Sequence, residues 1–169
     1  MYPQRTQPDS LPSLDAAAAT HSAHVAAHLA QAIAQAGGWL PFDRWMAQAL
    51  YAPGLGYYTA GAVKLASPRD AQGKALPTGD FVTAPELTPL FAHTLARQAA
   101  QILQDTQTRA VLEFGAGSGA LAAGVLEELD RLGLDVQYRI LEVSAHLRQR
   151  QQQRLAAYGA RVQWLDALP

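Results

Sequence analysis

The groups best suited to chemistry in this sequence are a glycine-rich turn and the acidic residues around it. Gly115, Gly117 and Gly119 alternate in Glu113-Phe114-Gly115-Ala116-Gly117-Ser118-Gly119, directly after the apolar run Ala110-Val111-Leu112. Glycines there let the backbone come close to a ligand and adopt positive φ. Gly115-x-Gly117-x-x-Ala120 also satisfies the relaxed dinucleotide pattern, so a nicotinamide or flavin cofactor is one candidate. Glu113 weighs against it. A dinucleotide would set a doubly charged pyrophosphate against this turn, and a carboxylate there repels it more strongly as water is excluded. A ligand carrying positive charge gains from the same carboxylate. Glu142, in Ile140-Leu141-Glu142-Val143-Ser144, lies one helix and loop further on and can accept two hydrogen bonds from a ribose diol. Both ligand classes predict it. Asp166 follows a third apolar run and could reach an adenine amino group.

Two further acids, Asp80 and Glu86, sit together in Gly79-Asp80-Phe81-Val82-Thr83-Ala84-Pro85-Glu86. His21, His24 and His28 share a helical face at a spacing that can bind zinc, but no acidic ligand flanks them. No metal is expected. Arg148, Arg150 and Arg154, interspersed with glutamines, read as a solvated helix face.

These residues need a scaffold. The chain has 169 residues, 49% of them hydrophobic, which suffices for one domain, or one domain with an appended segment. With no cysteine there is neither a disulfide framework nor a thiolate metal site. A net charge of −1 lacks the basic footprint of a nucleic-acid binder. The N-terminus has no apolar stretch of the signal-peptide kind, and the alanine-rich run near residues 16–36 is interrupted by histidines, so no membrane span is expected. The reading is a soluble, cytoplasmic protein. Residues 1–13 are expected to be a disordered tail. Residues 14–105 read as a helical segment containing a cofactor-covering loop at 59–83. Val25, Leu29, Ala32, Ile33 and Ala36 recur at helical spacing up to Gly37-Gly38, and Pro41 fits the first position of a short helix through Leu50. Leu87, Phe91, Leu95, Ile102 and Leu103 mark one face of a long helix. It starts either at a Thr83/Glu86 capping box or at Thr88-Pro89. From 106 to 169 the pattern is strand, helix, strand, helix, strand: Ala110–Phe114, a helix through Leu121, Val125, Leu129 and Leu132, Val136–Val143, a polar helix capped by Ser144 and running to about Tyr158, then Arg161–Leu165. That alternation predicts a Rossmann-like α/β domain with a parallel sheet and right-handed crossovers.

The glycine turn is similar to the first motif of class I S-adenosylmethionine-dependent methyltransferases, whose acidic residue faces the methionine end of the cofactor. That cofactor has a sulfonium and an ammonium and no phosphate, which suits Glu113. The segment Gly79–Glu86, followed by Leu90-Phe91, resembles the GDF-[IV]-T-[AS]-PE…F signature of the MidA family, methyltransferases tied to assembly of respiratory complex I. Met46, Leu50, Gly56-Tyr57-Tyr58, Leu141-Glu142-Val143-Ser144, Leu147-Arg148 and Trp164 fit the same pattern. The resemblance implies a class I methyltransferase fold behind a helical N-terminal segment and S-adenosylmethionine as cofactor. It implies a pocket formed by Glu113, Gly115, Ala116, Gly117, Ser118, Gly119, Glu142, Val143 and Asp166, with Gly79, Asp80, Phe81 and Thr83 folded against it. The implied acceptor is a protein side chain, arginine in mitochondrial relatives. For an arginine acceptor, Asp80 or Glu86 could clamp the guanidinium. The plainer roles are a turn for Asp80 and the capping box for Glu86. Two departures stand out. Ala75-Leu76-Pro77-Thr78 precedes the signature where the family usually has Phe-Gly, and the family's motif after the third strand is missing. Three strands make an incomplete sheet with an exposed edge, so the expectation is a truncated chain, a fragment or one part of a split protein. A nicotinamide-dependent oxidoreductase and a non-catalytic assembly factor remain open.

Overall fold

The computed structural model describes residues 13–60 and 82–168. The expected tail, apart from residue 13, and most of the covering loop, with Gly79, Asp80 and Phe81, lie outside the described residues. The chain divides into two units between Tyr57 and Tyr58.

In the first unit, α1 (Ala16–Gln35) is held by alanine propensity and by Asp15, whose carboxylate accepts from the Ala18 N–H at 2.7 Å. It ends where Gly37 and Gly38 take φ of 83° and 92°. α2 (Phe42–Tyr51) begins one residue later than the sequence implies, because Pro41 is its N-cap, not its first helical residue. The rings of Phe42 and Trp45 stack with centroids 6.0 Å apart. His28 bonds Gln48 at 2.8 Å, joining the two helices. None of the helices in the described residues is long and apolar enough to cross a membrane.

The second unit is α/β. Its order is α3 (Ala84–Leu87), α4 (Pro89–Thr106), β1 (Ala110–Phe114), α5 (Ala120–Arg131), β2 (Gln137–Leu141), α6 (Ala145–Arg154), a 3-10 turn (Ala156–Arg161) and β3 (Val162–Leu165). The three strands are parallel in the order β1-β2-β3, with Glu113 opposite Ile140 and Ile140 opposite Trp164. This is the Rossmann-like arrangement the alternation predicts. A helix begins at each of the two proposed starts, but the Thr83/Glu86 capping box does not form, since the Thr83 side chain makes no cap bond. Thr83 precedes α3, and Thr88, extended at φ −158° because Pro89 follows it, separates α3 from α4. The Thr88 hydroxyl accepts from the Leu90 N–H at 3.3 Å.

The packed face of α4 differs from the expected one. Ala92, Ala96, Ala100 and Leu103 are buried, whereas Leu87, Phe91, Leu95 and Ile102 are exposed. The reason is the closeness of α4 to α5. A Cβ placed on Gly124 of α5 would lie 2.6 Å from the Ala92 Cβ, so only small side chains fit between these helices. The larger residues share a face, but it is the face turned away from this contact. Behind it, Val125, Leu126 and Leu129 of α5 join Tyr138, Ile140 and Val162 of the sheet in one core. Glu128, also buried, reaches Arg97 of α4 at 2.8 Å.

Gly124→Ala should therefore destabilise the protein. Glycine-to-alanine in a helix ordinarily gains about 1 kcal/mol, but overpacking of this kind costs about 1–3 kcal/mol. Thermal melts of G124A and G124V should fall in that order below wild type. A G124A protein melting at or above the wild-type temperature would contradict the close contact.

Candidate functional site

The site grows from the end of β1. The Gly115 N–H donates to the Leu141 carbonyl at 2.9 Å, continuing the β1–β2 ladder by one rung before the chain turns. Gly115, Gly117 and Gly119 then take φ of 61°, 56° and 81°, a conformation that side chains resist. The Gly119 N–H closes the turn on the Ala116 carbonyl at 2.8 Å, and Gly119 is the N-cap of α5. The turn thus lies at the carboxyl end of the first strand of an open parallel sheet, where such folds bind ligands.

Two carboxylates stand beside it. Glu113 is half-buried and accepts from the Tyr138 hydroxyl at 2.8 Å. Burial raises its pKa above the ordinary 4.5, the Tyr138 hydrogen bond works in the opposite direction, and the charge of Glu142 raises it further. Tyr138 is itself shifted upward, by burial and by the Glu113 charge, so its hydroxyl keeps its proton. Glu142 is buried. One oxygen accepts from the Ser144 N–H and the other from the Gln151 amide, both at 2.9 Å. Val143, next to it, is exposed. Ser144 caps α6, and its hydroxyl donates to the Tyr58 carbonyl at 2.8 Å. Asp166 follows β3 with an exposed side chain. It accepts from Arg148 at 2.8 Å, and Arg148 also donates to the Leu165 carbonyl at 2.9 Å.

The signature segment meets the turn at Ser118. The buried Ser118 hydroxyl donates to Glu86 and accepts from Arg154 at 2.6 Å, and Arg154 lies 3.4 Å from Glu86. The sequence offers Glu86 either an acceptor or a capping-box role; its side chain, 5% exposed, is engaged instead with Ser118 and Arg154. Thr83, exposed, precedes α3 without a side-chain cap bond. Asp80, Gly79 and Phe81 lie outside the described residues.

The structure therefore brings Glu113, the turn, Glu142 and Glu86 into one neighbourhood, with Asp166 at the next strand end. Sequence reasoning missed Gln151, Arg154 and Tyr138. Gln151 is fully buried, not part of a solvated face. The signal was present, since Leu147, Gln151 and Leu155 are spaced four apart along one helical stripe. Among the described residues, no cluster of three or more histidines, aspartates or glutamates could hold a metal ion.

What this arrangement can do follows from its charges. Acidic acceptors surround a turn that presents backbone groups, and the arginines at its margins, Arg148 and Arg154, are already bonded to acidic side chains. It suits a nucleoside that brings positive charge. The strand order, the glycine turn after β1 and the acid after β2 define the class: a Rossmann-like α/β domain with a glycine turn at the ligand-binding end of its sheet.

The particular relatives are specific. Residues 94–169 match the family described as "Putative S-adenosyl-L-methionine-dependent methyltransferase". A COG1565 superfamily protein from Burkholderia thailandensis, solved bound to S-adenosyl-homocysteine, is 51% identical over 95% of this chain with a TM-score of 0.79. A second, native structure of a COG1565 superfamily protein from the same organism is 49% identical over 95% of the chain, with a TM-score of 0.73. The chain spans 41% and 39% of these two proteins. Among curated proteins, none matches it.

The raised Glu113 pKa carries a stability consequence. The folded state holds that proton more tightly than the unfolded chain, so its contribution is complete below about 4.5 and is lost as pH rises through the folded value. Glu113→Gln, whose amide oxygen can still accept from Tyr138, should raise the melting temperature of the ligand-free protein at pH 7 and leave it nearly unchanged at pH 4. Equal shifts at both pH values would refute the burial cost.

Proposed function

We propose that this chain carries the cofactor-binding part of an S-adenosylmethionine-dependent methyltransferase. The carrying observation is Glu113, a half-buried carboxylate beside a glycine turn, raised further in pKa by Glu142. Such a site repels a pyrophosphate and gains from a cationic nucleoside. Support comes from the relative bound to S-adenosyl-homocysteine. It disfavours the nicotinamide alternative, although the turn pattern alone permits it.

In this reading Glu113 receives the ammonium of the methionine end, and the backbone of Gly115, Ala116, Gly117, Ser118 and Gly119 lines the approach. Glu142 accepts from the ribose hydroxyls, Val143 lies along the adenine, and Asp166 accepts from its amino group. Gly79, Asp80, Phe81 and Thr83 fold over the pocket, as the MidA resemblance implies. The bound cofactor supplies a methyl carbon activated by a sulfonium. The protein contributes position, alignment and an electrostatic surrounding. The acceptor we favour is a protein arginine, in a cytoplasmic reaction linked to respiratory complex I assembly, again by the MidA resemblance. In this reading Glu86, bonded to Ser118 and Arg154, fixes the turn, and Asp80 is the signature acid assigned to the acceptor.

Calorimetric titration tests the cofactor. S-adenosylhomocysteine should bind and NADH should not. Glu113→Ala should weaken binding about tenfold or more, the scale of a lost charge-assisted hydrogen bond. Affinity should fall on acidification as Glu113 takes up its proton. Binding of NADH alone would overturn the proposal. The division between the acids is tested by turnover of the full-length protein: Asp80→Asn should lower kcat with cofactor affinity intact, and Glu86→Gln should weaken cofactor binding. Unchanged turnover in both variants would remove the assignment.

A further inference from the structure

Gln151 lies in a stretch, Arg148-Gln149-Arg150-Gln151-Gln152-Gln153-Arg154, that by composition belongs in water. Yet it is 0% exposed. Its side-chain amide joins three parts of the site that are remote in sequence. The nitrogen donates to the Gly117 carbonyl at 3.0 Å and to a Glu142 carboxylate oxygen at 2.9 Å. The oxygen accepts from the Trp164 indole N–H of β3 at 2.9 Å. A primary amide has two N–H donors and an acceptor oxygen, and here both donors and the oxygen are used. No other side chain of similar size does this. Glutamate would lose both donors and set a second charge beside Glu142, and methionine would lose all three bonds. The contact is also steric, since a Cβ on Gly119 would lie 3.5 Å from the Gln151 Cα and Cγ.

Consider what these bonds do to Glu142. One of its oxygens is held by the Ser144 N–H and the other by Gln151. The carboxylate is thereby fixed in rotation, and each oxygen keeps further acceptor capacity. Two neighbouring hydroxyls on one ribose need that fixed pair of acceptors. The Gly117 carbonyl, held by the same amide, belongs to the turn that approaches the ligand.

We infer that Gln151 is the positioning residue of the nucleoside site: it sets the Glu142 carboxylate against the glycine turn, and so determines how strongly a ribose diol is recognised. This rests on the proposed cofactor reading. It touches no reacting atom, so its effect should be specific to the ribose hydroxyls and not to binding in general.

The test compares S-adenosylhomocysteine with its 2′-deoxy and 3′-deoxy analogues by calorimetry, in the full chain and in Gln151→Met. Wild type should lose about tenfold or more in affinity on removal of either hydroxyl, the scale of a hydrogen bond to a charged acceptor. In Q151M that penalty should shrink to about threefold or less, because Glu142 is no longer held, while S-adenosylhomocysteine itself weakens. If Q151M weakens all three ligands by the same factor, Gln151 is merely structural and the inference fails. If wild type binds none of the three, the cofactor reading fails and takes this inference with it. If Q151M does not fold by thermal melting, Trp164→Phe decides. It removes only the donor to the Gln151 oxygen, so it should reduce the hydroxyl penalty in the same direction by a smaller factor. An unchanged penalty in W164F would overturn the inference.

Discussion

A carboxylate withdrawn from water beside a second carboxylate is the constraint on which the rest of this site depends. Partial burial of Glu113 disfavours its charged form, and Glu142 adds to that cost. The structure tolerates it because each carboxylate is given donors, Tyr138 for Glu113 and Ser144 and Gln151 for Glu142. No arginine or lysine is among those donors. The field is left negative, so a cation at this turn relieves an existing strain in the electrostatics. In the proposed reading, cation binding and fold stability are thus opposed at Glu113.

The scaffold is built to hold that neighbourhood still. Parallel pairing aligns the ends of β1, β2 and β3, so that Phe114, Leu141 and Leu165 lie side by side and the acids beside or beyond them follow. The turn is then secured from two directions. Ser118 is bonded to Glu86 ahead of α4 and to Arg154 at the end of α6, and Gly117 is bonded to Gln151. The Arg154 contact is part-exposed and worth little as an ion pair. Its value is geometric, since it links a short helix to the glycine turn. The core beneath is packed through small residues, with Gly124 against Ala92, which brings α4 close to α5.

Much of this was legible in the sequence. Glycine spacing marked the turn because positive φ at three alternating positions leaves few other residues possible. Thr88-Pro89 and Ser144 marked helix starts because capping is local chemistry between residues no more than three apart. Apolar runs separated by helical periods marked the three strands and their parallel direction. Glu113 and Glu142 could be singled out because a strand end is also the ligand-binding end of such a sheet.

What the sequence determined by itself, then, was the set of elements and the acids at their ends, since propensity, capping and turn geometry act over a few residues. The tertiary structure alone decided which side chains those acids would meet. Tyr138 comes to Glu113, Gln151 to Glu142 and Gly117, and Arg154 to Ser118, each across a separation in sequence that no local pattern encodes. It also decided that Ala92, Ala96, Ala100 and Leu103 of α4 would be buried and Leu90, Phe91, Leu95 and Ile102 exposed. Hydrophobicity favours burying the larger side chains, but the close α4–α5 contact has room only for the smaller ones.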